Sequence, residues 1–121
     1  MSKMLKTRYT NNKEILKFSD FIGIAVTVAA AGVTANADGK KIVPAGTIIG
    51  GSSASFLSDP TQLVTEKNSA NAEGVLLYDV DVTHGDNAGS MVIHGFIDLT
   101  KLPAPPNAAA VTALRMIQFI A

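Results

Sequence analysis

Cysteine is missing from all 121 residues, which removes disulfides, thiolate nucleophiles and cysteine-ligated zinc or iron–sulfur centres. Tryptophan is missing too, and Phe and Tyr together make up only 6% of the chain. A core must then be assembled from Val, Ile, Leu and Ala. The 47% hydrophobic fraction supplies these in quantity and separates the chain from disordered sequences. Its length is that of one domain with one core. With neither cross-links nor large rings, self-association is the remaining source of extra stability. Familiar catalytic templates are also lacking: there is no G-x-S-x-G elbow, no phosphate-cradling loop ending in Lys-Ser/Thr and no H-E-x-x-H. Gly50-Gly51-Ser52 is a loop, not a nucleophile elbow.

No apolar run is long enough to cross a bilayer as a helix. Residues 21–37, FIGIAVTVAAAGVTANA, imitate a secretory signal, with positive charge before them and Ala35-Asn36-Ala37 as a cleavage-like end. The preceding leader is long, however, and contains Glu14 and Asp20, and Gly23, Thr27 and Gly32 interrupt the apolar stretch. Ile22, Ile24, Val26 and Val28 alternate with smaller residues, which predicts a first core strand.

Charge is balanced overall but unevenly placed. Residues 1–17 hold five bases and one acid, a net +4, and the remainder holds five bases and nine acids, a net −4. A basic arm on an acidic body is an interaction pattern, and equally the pattern of a solvated tail. Nucleic-acid binding calls for a clustered basic patch interleaved with aromatics, and Tyr9 alone does not provide one. Direct nucleic-acid contact is therefore not expected.

Turn signals divide the rest. Asn36-Ala37-Asp38-Gly39 suits a tight hairpin. Val43-Pro44-Ala45-Gly46, with Pro second and Gly fourth, suits a type I turn. Thr47-Ile48-Ile49 reads as a strand ended by Gly50–Ser53. Residues 52–72 form a long polar loop, functional or flexible, with a short strand expected at Gln62-Leu63-Val64. Asn107 caps a short helix through the Ala run, and Met116–Ile120 reads as a closing strand. One helical turn is expected around Glu14–Lys17. These elements predict a mainly β fold: a small β-barrel or β-sandwich with one short C-terminal helix and an extended N-terminal arm. The arm is 1–17 and the single β-rich body is 18–121.

The stretch EGVLLYDVDVTHGD, residues 73–86, is the place to look for chemistry, with His94 following in SMVIHGFIDL. If Glu73–Val82 and Met91–Leu99 form a hairpin pairing Val80 with Ile93, then Leu76, Tyr78, Val80 and Val82 join Met91, Ile93, Gly95 and Ile97 on one apolar face. Asp79 then lies across from His94 on the wet face, and His84, Gly85 and Asp86 fall in the connecting loop. A metal needs three or four converging ligands. Asp79 and Asp81 diverge by about 7 Å along a strand, and D-x-D-x-x-x-x-D lacks the final bidentate acid of an EF-hand. The expectation is no metal, no cofactor and no catalytic residue. A hydrolase using Asp79, Asp81 and His94 is the competing possibility.

The succession IVPAGTIIGG, a polar loop, AEGVLLYDVDVT, a Gly/Asp turn, MVIHGFIDLTKLP and ALRMIQFI resembles small head proteins of tailed bacteriophages. These are the capsid decoration proteins and the base domains of head fibres. The resemblance spans about residues 42–120, and the leader and the strand at 21–33 fall outside it. It implies a compact β-rich virion protein, made in the host cytoplasm and seated on the outer capsid at three-fold or quasi-three-fold positions. Such a protein forms a homotrimer that cements neighbouring major capsid proteins; the alternative is the base domain of a head fibre that anchors a receptor- or sugar-binding module, with a fibre protein as partner. It implies capsid contacts through the arm, at Lys3, Lys6, Arg8 and Lys13, and a trimer or capsid contact loop around Ser52, Phe56 and Asp59. No membrane partner is implied.

Overall fold

The computed structural model describes residues 15–18 and 20–121. Eight strands and one short helix follow in the order β1 (Ile22–Val28), β2 (Ile42–Val43), β3 (Ile48–Gly51), β4 (Val64–Glu66), β5 (Gly74–Leu76), β6 (Val80–Asp81), β7 (Asn87–Asp98), α1 (Ala108–Ala113) and β8 (Ile117–Ile120). A 3-10 turn at Leu99–Lys101 follows β7. The main sheet runs β1-β4-β3-β5-β7, and β7 returns to pair with β1, so five strands close into a barrel. The β1–β4 pairing is parallel and the other four are antiparallel.

Closure depends on β7. Its first half pairs with β1 from Val28↔Asn87 to Ile22↔His94, with an irregularity between Ile22 and Gly23. Its middle also pairs with β5, as Val75↔Val92 and Leu76↔Met91. Its last four residues carry β8 in parallel, Gly95↔Ile117 through Asp98↔Ile120. Beyond β1, the chain at Leu16 bridges Ile97. The amide of Asp98 donates to Ile15 O at 2.7 Å, and that of Lys17 to Phe96 O at 2.8 Å. Residues 15–17 are thus extended against β7, where a helical turn is expected from the sequence. Ile15 is fully buried, so the folded body starts before residue 18.

Alternation along the strands sorts the core into two layers, because successive side chains point to opposite faces. Ile49, Leu76 and Met91 join Val28, Phe56, Val64 and Val82 in one cluster. Their immediate neighbours Ile48, Val75 and Val92 join Ile15, Ala110, Leu114 and Ile117 in the other. The first cluster gathers side chains from strands all round the barrel. The second lies where α1, β8 and the segment at Ile15 cover the outer face of β3, β5 and β7. Fully burying each such aliphatic side chain contributes about 1.5–3 kcal/mol. An Ala- and Val-rich α1 with Asn107 as its cap, Oδ1 accepting from the Ala109 amide at 3.2 Å, is short enough to lie across this face.

Several local expectations change. The hairpin does not pair Val80 with Ile93: the observed β5–β7 register would set Val80 against Asn87, six residues away. An even offset keeps the facing parity, so Leu76, Val80, Val82 and Met91 are buried together as expected, whereas Ile97 is buried in the other cluster, with Val92. The chain leaves β7 after Leu77 and bends at Tyr78, which is exposed rather than packed. β6 then pairs with β2, as Ile42↔Asp81 and Val43↔Val80. The opposite face of β5 and β7 is not wet either, since Leu77 and Val92 are buried. Asn36–Gly39 is a turn, but it does not join paired strands. The proline turn is Pro44–Thr47, closed by Thr47 N to Pro44 O at 3.2 Å. Gly46 is third within it at φ +91°, the left-handed conformation of a type II turn. In β1 only Val26 and Val28 are buried, and Ile22 is exposed.

Candidate docking surfaces

Of the arm residues expected to touch a capsid, Lys3, Lys6, Arg8 and Lys13 all lie outside the described residues. The contact loop is fully described, and two side chains organise it. Glu73 stands at the entry to β5, its amide bonded to Ile49 O at 2.9 Å, and its carboxylate reaches across to the loop after β3. Oε1 accepts from the amides of Gly51 at 2.8 Å and Phe56 at 2.7 Å. Oε2 accepts from Ser55 Oγ at 2.7 Å and the Leu57 amide at 3.1 Å. Gln62 clasps the same loop from the other end. Its Oε1 accepts from Ser53 N, Ser53 Oγ and Ala54 N, and its Nε2 donates to Ser55 O.

Glu73 feels two opposed effects. Burial acts to raise its pKa, but the bonds from the Ser55 hydroxyl and the Gly51, Phe56 and Leu57 amides together hold it below the ordinary value. Backbone packing at Gly51 is equally tight: a Cβ there would sit 1.9 Å from Ala54 O. The loop is a built feature rather than a slack connector. Ser52 and Asp59 are exposed on it, with Ser52 N bonded to Leu63 O and Asp59 Oδ1 accepting from Thr61. Phe56, however, is only 3% exposed and lies in the barrel core. It anchors the loop, and the exposed apolar side chain there is its neighbour Leu57, 56% exposed. Sequence reasoning missed Glu73, whose isolated acid beside Ala72 carries no motif.

The acids and histidines of residues 79–94 are dispersed among different strands and loops. Asp79 does not face His94: its Oδ1 accepts from the Ala45 amide at 2.7 Å, tying the bend at Tyr78 to the proline turn. Asp81 accepts from the Thr83 amide at 2.9 Å and from its hydroxyl. Those bonds, from the hydroxyl first, hold its carboxyl below the ordinary range. Asp86 Oδ1 accepts from Ala30 N at 2.8 Å, and Asp98 caps the 3-10 turn through Thr100. His94 stands opposite Ile22 in the barrel seam. Among the described residues no three His, Asp or Glu side chains come together in a way that could hold a metal ion.

No protein-family model matches the chain, and no curated protein sequence matches it.

Concavities and apolar faces make up the rest of the surface. A groove of about 470 Å³ runs between the β1–β2 connection and β3, with Val33, Pro44, Ile48, Thr65 and Pro103 among its walls. A smaller one of about 320 Å³ adjoins the Glu73 clasp and includes Lys67. At the β7–β8 end Phe18, Phe21, Ile22 and Met116 are exposed. Among the described residues no helix is long and apolar enough to cross a membrane.

Proposed function

We propose that the chain is a structural virion protein of a tailed bacteriophage, seated on the outer surface of the capsid. In this reading it binds rather than catalyses, needs no cofactor, and cements neighbouring major capsid proteins as a homotrimer at three-fold or quasi-three-fold positions. One observation carries the reading. The segments from Ile42 to Ile120 that resemble head decoration proteins are those that build β2 through β8, so the likeness takes in four of the five barrel strands with α1 and β8, and leaves out β1, which closes the barrel. Two further features support it. The carboxylates of Glu73, Asp79, Asp81, Asp86 and Asp98 all hold loops in place, and the loop bearing Leu57 is pre-organised, which lowers the entropic cost of docking.

The burial of Ile15 moves the arm's boundary to residue 14. Residues 1–14 keep Lys3, Lys6, Arg8 and Lys13 against the single acid Glu14. The test is cosedimentation of the purified chain with expanded capsids that lack it. The full chain is expected to pellet with the shells, and a chain lacking residues 1–14 to bind at least about tenfold more weakly with an unchanged melting transition. A full chain that stays in the supernatant at saturating capsid sinks the reading. A truncated chain that binds as well as the full one removes the arm from it.

A further inference from the structure

We infer that the face formed by Phe18, Phe21, Ile22, Phe96 and Met116, together with the edge of β8, is where a second copy of this chain docks. The inference deepens the homotrimer of the preceding reading and rests on it for biological setting, but its geometry stands apart from any capsid.

These residues gather around positions 94–96 of β7. The rings of Phe18 and Phe96 meet edge to face with centroids 5.4 Å apart. Phe21 lies over two glycines: its atoms come within 3.0 Å of where a Cβ on Gly95 would stand, and within 3.3 Å of one on Gly23. The Gly95 amide donates to Met116 O at 3.1 Å, which brings Met116 to the same spot. Ile22 is the register partner of His94. Phe18 and Ile22 are each 54% exposed and Met116 63%. Contiguous exposure of this kind, in a chain with only seven aromatic residues in all, marks an interaction surface rather than scattered apolar decoration.

Two observations select a second copy as the occupant. The first is the edge. Barrel closure pairs β1, β3, β4, β5 and β7 on both sides, which leaves β8 as the terminal strand of the six-stranded sheet, joined among the described residues to β7 alone. Its residues Ile117-Gln118-Phe119-Ile120 contain neither the charge nor the proline with which natural edges discourage pairing. The second is charge. Asp20 precedes Phe21 and Arg115 precedes Met116, both exposed, and among the described residues neither is in an ion pair. A patch with one acid and one base at its rim is complementary to itself, because rotational symmetry brings the acid of one copy to the base of the next.

The experiment is sedimentation of the full chain over a range of concentrations. Wild type is expected at a multiple of 12.6 kDa. Ile22→Lys and Met116→Lys should each weaken association by at least about thirtyfold while melting cooperatively, since both side chains are exposed. Tyr78→Lys, exposed elsewhere, should associate as wild type does. Asp20→Lys and Arg115→Glu should each weaken association about threefold, and their combination should recover it. A wild-type monomer at about 100 μM overturns the inference, whether the face is bare or covered by residues 1–14 of its own chain. So do Lys variants that associate like wild type. A chain that self-associates through this face but ignores capsids overturns only the capsid reading. One that coats capsids as independent monomers overturns only this inference.

Discussion

Glu73 shows how much a single side chain can organise here. Its carboxylate takes four donors from residues 51–57, so Glu73→Gln keeps the shape but removes the charge that strengthens those bonds. The expected cost is about 1 kcal/mol, below the full value for charged bonds because the carboxylate remains partly in water. Equilibrium denaturation measures it, and faster amide exchange at Gly51, Phe56 and Leu57 localises it. The pH dependence follows from the sign of the shift. A pKa lowered in the folded state gives stabilisation that is complete above the ordinary value of 4.5 and is lost as pH falls through the depressed one. Wild type should therefore weaken in acid more steeply than Glu73→Gln. Asp81 and Asp98 are shifted the same way but are common to both proteins, so the difference between the two curves isolates Glu73. Equal acid slopes would show that the clasp contributes nothing in solution.

Among the elements, β7 does the most. It closes the barrel against β1, carries β5 in its middle, supports β8 at its end, and receives the segment at Ile15. Met91 stands at its centre, fully buried, and Met91→Ala should cost about 2–5 kcal/mol in a denaturant titration. Ile15 decides where the body begins. Removing residues 1–14 should leave the melting temperature unchanged, whereas removing 1–17 also deletes Ile15 and two backbone bonds to β7. That second truncation should lose about 2–5 kcal/mol. Identical melts for the two truncations would place Ile15 outside the cooperative unit. A Cβ at position 51 has no room beside the Ala54 carbonyl, so Gly51→Ala should destabilise the β3 end of the loop more than Gly32→Ser, which meets no atom within 4 Å and costs only the strain of its left-handed φ of +83°.

The molecule as a whole is a barrel with one outer face covered and two distinct exposed features. One is a polar loop held by Glu73 and Gln62. The other is an aromatic face beside a terminal strand. In the proposed reading the aromatic face joins copies and the loop meets a shell. Reversing the charge at Asp20 alone should then weaken self-association without altering the loop, while Leu57→Lys should weaken capsid binding without altering the sedimenting mass. Both variants losing both properties would show that the surfaces are one.

The amino-acid order by itself determined the local pieces. Alternating Ile and Val predicted β1, Asn107 before an Ala run predicted α1, and Met116–Ile120 predicted β8, because capping and period are properties of neighbouring residues. Buried and exposed parity in Leu76, Val80, Val82 and Met91 was legible for the same reason. Which strands meet was not. The pairings β1–β7 and β2–β6 join residues far apart in the chain, and their choice depends on burying both faces of β5 and β7 at once. The roles of Asp79 and Glu73 also belong to the tertiary level. A lone carboxylate has no local partner to announce it, and only folding brings the amides of Ala45, Gly51, Phe56 and Leu57 within its reach.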